Sequence, residues 1–209
     1  MRLRVAFSKQ GALRYIGHLD LHTLLERAAR RAALPLVYSQ GFHPAPKIQI
    51  AAALPLGFSS RAEMADLWLS EDRDLVSLRA DLQSALPRDI QILDVQQADD
   101  RAPALQTLVV AAEYEAVIPD EFASDLTARL AALMEAESLP RVRRGKTYDL
   151  RPLIESLEAA PAEGSGETRV LLRLAAREGA TGRPDEVLAA LGIPPESARV
   201  ERIRLIFRD

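Results

Sequence analysis

The sequence predicts a mixed α+β protein in which the order strand, helix, strand, strand, helix, strand occurs twice. Three observations carry this. Apolar residues recur at a spacing of two over 2–8 and at helical spacing over 19–33. A polar break, Asp99-Asp100-Arg101-Ala102-Pro103, falls near the middle of the 209 residues. The segments after it repeat the same order of periods, although no residue-level repeat is visible.

In the first half, residues 2–8 set Leu3, Val5 and Phe7 against Arg2, Arg4, Ala6 and Ser8, the pattern of a strand with one buried and one solvated face. Residues 19–33 place Leu21, Leu24, Leu25, Ala28 and Ala32 on one helix face. Gly17 or His18 begins that helix, Asp20 suits the positive end of its dipole, and Pro35 ends it. Strands follow at 47–54 and 62–70 with Pro55 and Gly57 between them. A helix at 74–86 carries Leu75, Leu78, Leu82 and Leu86 and stops at Pro87, and a strand covers 90–97.

In the second half, strands are expected at 107–118, 153–160, 168–176 and 199–207, with helices at 120–136 and 184–191. The 153–160 and 168–176 pair turns through Glu163-Gly164-Ser165-Gly166. Each half then has the split βαβ order, which predicts two tandem ferredoxin-like halves with antiparallel sheets. The expected limits are 1–98, a linker at 99–106, and 107–209.

Composition narrows the chemistry. The chain has no cysteine, which excludes disulfides, thiolate metal sites, an iron–sulfur cluster of its own and a cysteine nucleophile. No stretch approaches the roughly 20 apolar residues that span a bilayer. The first residues read as a strand rather than a signal peptide. A cytoplasmic protein without a cofactor is the expectation.

Charge is distributed unevenly. Net charge is −3, yet residues 1–47 hold Arg2, Arg4, Lys9, Arg14, Arg27, Arg30, Arg31 and Lys47 against Asp20 and Glu26, a net +6. A second basic element spans 141–152, where Arg141, Arg143, Arg144, Lys146 and Arg151 face only Asp149, a net +4. Local excesses of this kind mark faces that bind polyanions.

The densest segment is Tyr38-Ser39-Gln40-Gly41-Phe42-His43-Pro44-Ala45-Pro46-Lys47. Its prolines stiffen the backbone and Gly41 permits a positive φ. Phe42 is placed to stack a base and Lys47 to meet a phosphate. On the preceding helix, Arg27 and Arg31 stand four apart and project together, with Arg30 to one side. His18 and His22 have a metal-ligand spacing but lack the HExxH glutamate, so no metal is assigned to them. Gly145-Lys146-Thr147 lacks the upstream glycine and the strand–loop–helix setting of a phosphate loop.

Several of these runs carry a family resemblance. They are Arg2-Leu3-Arg4-Val5-Ala6-Phe7-Ser8-Lys9, Leu13-Arg14-Tyr15-Ile16-Gly17-His18-Leu19-Asp20, Glu26-Arg27-Ala28-Ala29-Arg30-Arg31-Ala32, Tyr38–Pro44, Pro46-Lys47-Ile48 and Pro55-Leu56-Gly57. With Asp149-Leu150-Arg151-Pro152 and Gly182-Arg183-Pro184-Asp185, the chain resembles the radical-SAM-linked (radical SAM-associated) family, a domain of unknown function. It departs from the family pattern in having His43 in place of asparagine and Gly17 in place of serine.

The resemblance implies a setting beside ribonuclease and ribosomal protein genes, and so RNA (tRNA or rRNA) as the polyanion. It also implies a radical SAM protein as partner, which would perform any radical chemistry. The leading expectation is an RNA-binding accessory protein without catalysis of its own. Arg14, His18, Arg27, Arg31, Gln40, Phe42, Lys47, Arg144, Lys146, Arg151 and Arg183 are its candidate RNA contacts, expected to converge on one groove between the halves. The alternatives are a metal-independent endoribonuclease using His18 or His43, and a protein–protein adaptor for a radical SAM enzyme.

Overall fold

Alternating apolar residues put β1 (Arg2–Lys9) at the centre of an antiparallel arrangement in a mixed α+β protein. The structure, a computed structural model, describes residues 1–143, 145–161 and 167–208. The chain divides into two units, Met1–Val109 and Val110–Arg208.

After β1, the first unit contains α1 (His18–Arg31), β2 (Ile48–Ile50), β3 (Ser59–Trp68), α2 (Leu75–Ala85), β4 (Ile90–Ala98) and the short α3 (Leu105–Leu108). β1 pairs antiparallel with β3 and with β4, and β2 pairs antiparallel with β3. The strand order is therefore β4-β1-β3-β2. Leu3, Val5 and Phe7 pack in one core with Leu21, Leu25, Ala28 and Ala29 of α1 and Leu78 and Leu82 of α2. Each such leucine contributes about 1.5–3 kcal/mol through the apolar surface it removes from water. The helix starts are capped as their residues dictate. Gly17 N–H donates to the Asp20 carboxylate at 3.3 Å. Asp74 accepts the Ser77 N–H at 2.9 Å and its hydroxyl at 2.8 Å.

The second face of β1 differs from expectation. Arg2 is 1% exposed and Ser8 is buried, and Lys9, past a register shift after Phe7, is 1% exposed too. β1 lies between two strands, and a carboxylate from β3 supplies the countercharge. Asp66, fully buried, accepts from Arg2 Nε at 2.8 Å and from Arg4 Nε and Nη2 at 2.9 Å each. The remaining Arg2 nitrogens donate to the carbonyls of Asp99 (3.3 Å), Ala102 (2.7 Å) and Pro103 (2.9 Å). The segment expected as a plain polar linker thus folds over the Arg2 guanidinium.

The second unit contains β5 (Val109–Pro119, whose first residue belongs to the first unit), α4 (Leu126–Glu135), β6 (Pro140–Arg143) and β7 (Lys146–Asp149). β8 (Ile154–Pro161), β9 (Glu167–Arg177), β10 (Ala180–Thr181), α5 (Pro184–Ala190) and β11 (Arg199–Phe207) follow. β9 pairs antiparallel with β5, β8 and β10, and β11 neighbours β5. The helix expected over 120–136 is a 3-10 turn at Asp120–Phe122 followed by α4, because Asp125 has φ 52 and breaks the run. The basic segment forms the β6–β7 hairpin, a two-stranded sheet of its own. The Glu163–Gly166 turn lies outside the described residues. No helix among the described residues is long and apolar enough to cross a membrane.

Two carboxylates tie stability to acid pH. The Ser77 N–H and hydroxyl hold Asp74 below its ordinary 3.8. Asp149 accepts the Leu139 N–H at 2.7 Å and the Arg151 N–H at 3.0 Å, and is likewise depressed from 3.8. A carboxyl depressed in the folded state stabilises fully above its unfolded pKa, about 3.9, and that stability is lost as pH falls through the folded value. The Asp74→Asn/Asp149→Asn variant is therefore expected to lose less stability than the parent between about pH 4 and pH 2.5. Urea unfolding at stepped pH measures this, and parallel curves would contradict it.

Candidate nucleic-acid interface

Arg27 and Arg31 sit on the α1 face that adjoins α2, as their spacing of four requires. They line a groove of about 620 Å³ with Ile16, Asp20, Leu24 and the Ser84–Pro87 turn after α2. Arg31 is pinned there, its Nη2 donating to the Ala85 carbonyl at 2.6 Å. Arg27 is exposed and has no carboxylate partner among the described residues. Arg30 points elsewhere. It pairs with Glu26 at 2.8 Å and lies 5.7 Å over the Tyr38 ring.

At the start of α1, a 3-10 turn over Gly11–Tyr15 presents Arg14. Asp89 shapes that turn by accepting the Gln10 N–H on its backbone oxygen and the Ala12 N–H on its carboxylate. Gly11 has φ 56, and a Cβ there would stand 2.5 Å from the Asp89 carboxylate, so only glycine fits. Arg14 lies 4.8 Å over the Tyr15 ring and donates to its hydroxyl at 2.8 Å. His18 opens α1 and is exposed. Gly57 N–H donates to the Arg14 carbonyl, which brings the exposed Leu56 to this turn.

The 38–47 loop is pinched by the Tyr38–Pro46 bridge and by Ser39, whose hydroxyl accepts the Ala45 N–H at 3.1 Å. Gly41 has φ 140, the conformation its place in the loop demands. Phe42 is 104% exposed, with Gln40 and His43 exposed beside it. Lys47 ends the loop with its ammonium 4.3 Å from the Trp68 ring centroid, and the buried Arg2 lies 4.9 Å from the same ring. Of the net +6 counted over 1–47, then, Arg2, Arg4 and Lys9 belong to the interior or its edge. Arg14, Arg27, Arg30, Arg31 and Lys47 form the basic surface.

In the second unit, Lys146 is exposed on β7, and Arg144 lies outside the described residues. Two other candidates are engaged within the fold. Arg151 donates from Nε (3.0 Å) and Nη2 (2.6 Å) to the Met134 carbonyl, and from Nη1 to the Ile154 carbonyl (3.0 Å). It fastens the end of α4 to the start of β8. Arg183, the residue before α5, is bidentate to Asp185 at 2.9 and 2.6 Å, and that hydrogen bonding raises its pKa. Arg151→Ala is expected to lower stability by about 2–3 kcal/mol, because three charge-assisted, part-buried bonds to the Met134 and Ile154 carbonyls are lost. Thermal melting measures this, and an unchanged melting temperature would contradict it.

Sequence reasoning passed over Tyr15 and Trp68 as site residues. The signal for Tyr15 is its place directly after Arg14. Trp68 is the one tryptophan of the chain, but it is 21 residues from Lys47, and only the strand pairing brings the two together. Among the described residues, no three histidine, aspartate or glutamate side chains gather as a metal site.

Fold and surface define an α+β protein that presents a basic groove and an exposed aromatic loop. Residues 2–184 match the family described as "Uncharacterized protein conserved in bacteria (DUF2344)", and the chain belongs to that family. A search of curated proteins finds no match.

Proposed function

We propose that this chain is an RNA-binding accessory protein that presents tRNA or rRNA to a radical SAM partner enzyme. The observation that carries the RNA reading is the α1–α2 groove, where Arg27 and Arg31 stand together in a chain of net charge −3. Phe42, exposed on a braced loop, supports it by offering a face to an unpaired base, worth about 1–3 kcal/mol per stacked base. The radical SAM partner rests on the sequence resemblance. The strand orders β4-β1-β3-β2 and β11-β5-β9-β8 support reading both units as ferredoxin-like halves.

An electrophoretic mobility shift with tRNA at about 50 mM salt tests the RNA reading. A shift at micromolar protein is expected, and no shift at any attainable concentration overturns it. The adaptor reading is favoured by one observation, the exposure of Leu19 (80%) and Leu56 (64%) beside Arg14 and Tyr15. Recovery of the radical SAM protein in a pull-down, undiminished by ribonuclease, would put the adaptor first.

A further inference from the structure

The β6–β7 hairpin has a sidedness that the residue count does not convey. Its register pairs Arg141 with Tyr148, Val142 with Thr147 and Arg143 with Lys146. Residues paired across two strands share a face, and neighbours along a strand alternate. Arg141, Arg143, Lys146 and Tyr148 therefore occupy one face, and Val142 and Thr147 the other. Arg143 and Lys146 are exposed and have no carboxylate partner among the described residues. Other arginines at the surface of this unit are held by acids, Arg173 by Glu155 and Arg199 by Glu167.

The base of the hairpin is fixed. Asp149 accepts the Leu139 and Arg151 N–H groups, and Leu150 N–H donates to the Leu139 carbonyl at 2.9 Å. Tyr148 is half-buried, and burial, then the nearby Glu186 carboxylate, raise its pKa. The free end is turned by Gly145 at φ 75.

We infer that this hairpin is a second RNA-contacting element, a preorganised ribbon that lays Arg143 and Lys146 on the phosphates of a double-stranded segment. The inference rests on the RNA-binding reading and deepens it. A paired segment is the match because the outer part of the basic face carries only cations. Its one aromatic, Tyr148, sits at the anchored end, so the ribbon recognises backbone rather than unstacked bases. The first unit's loop, with Phe42 fully out, has the opposite chemistry.

Fluorescence anisotropy with a labelled RNA duplex of about 16 base pairs, and with one of its strands alone, tests this across a salt series. Two charge-matched variants are compared, Arg143→Ala/Lys146→Ala on the basic face and Val142→Glu/Thr147→Glu on the other. Each lowers net charge by two, and circular dichroism checks that each folds. The basic-face variant is expected to lose about tenfold or more in duplex affinity, and about two units of salt slope. It is expected to change single-strand affinity by less than about threefold, and the other-face variant to stay near wild type. Equal loss in both variants, or unchanged duplex affinity, overturns the ribbon and leaves the groove reading standing. Wild-type protein that binds neither RNA overturns both. Tighter binding to polyglutamate than to the duplex at equal salt assigns the face to an acidic protein and overturns the RNA assignment.

Discussion

Asp66→Asn is expected to destabilise the first unit by about 3–5 kcal/mol, the largest loss of any single change considered. The amide keeps the shape of the carboxylate but removes its charge. Arg2 then stays buried at 1% exposure without a countercharge, and one of the two carboxylate oxygens that accept from Arg2 and Arg4 becomes an amide NH2 that cannot accept. Native stabilities are typically about 5–15 kcal/mol, so this is a large fraction of the whole. Combining it with Arg2→Met is not expected to restore stability. The carbonyls of Asp99, Ala102 and Pro103 would then lose their donor. Urea unfolding followed by Trp68 fluorescence gives a local reading, because Arg2 lies against that ring. A loss below about 1 kcal/mol would show that the network is not the anchor of β1 and β3.

Arg27→Glu is expected to weaken RNA binding by about tenfold or more while leaving the melting temperature within a degree or two of wild type. Arg27 is exposed, lines the groove and gives up no ion pair when changed. Arg30→Glu is the informative comparison. It carries the same charge change one turn-neighbour away, but Arg30 is already held by Glu26 and set over Tyr38. Filter binding of both variants against one tRNA measures the difference. Equal losses would mean that the chain attracts RNA by overall charge and that the groove has no special part.

Much of the fold is legible in the sequence because periodicity and chain breakers agree. The leucines of α1 and α2 and the apolar positions of β1 each make a local statement that packing upholds, while α1 ends at Arg31, ahead of Ala33 at φ 51 and before Pro35 is reached. The burial of the second face of β1 is not legible. Arg2 and Arg4 alternate like solvent-facing charges, and Asp66, the buried acid that holds both, stands 64 residues beyond Arg2. The same limit affects the site. Arg27 and Arg31 reach one groove because helical spacing is local. Arg151 looks like any other cation in a basic run, and its role in joining α4 to β8 depends on carbonyls 17 residues before it and three after it. The Lys47–Trp68 contact is likewise a product of strand pairing, to which spacing along the chain gives no clue.

The central claim is that the basic surface binds an RNA backbone. Its most direct test is the dissociation constant of the intact chain for tRNA and for an unrelated RNA, by fluorescence anisotropy, from about 50 to 300 mM salt. Phosphate contacts release counterions, so affinity is expected to fall steeply on a log–log plot, with a slope of at least about two. Replacing Arg27 is expected to reduce that slope by about one. A flat salt response, or no binding at the lowest salt, would contradict the account.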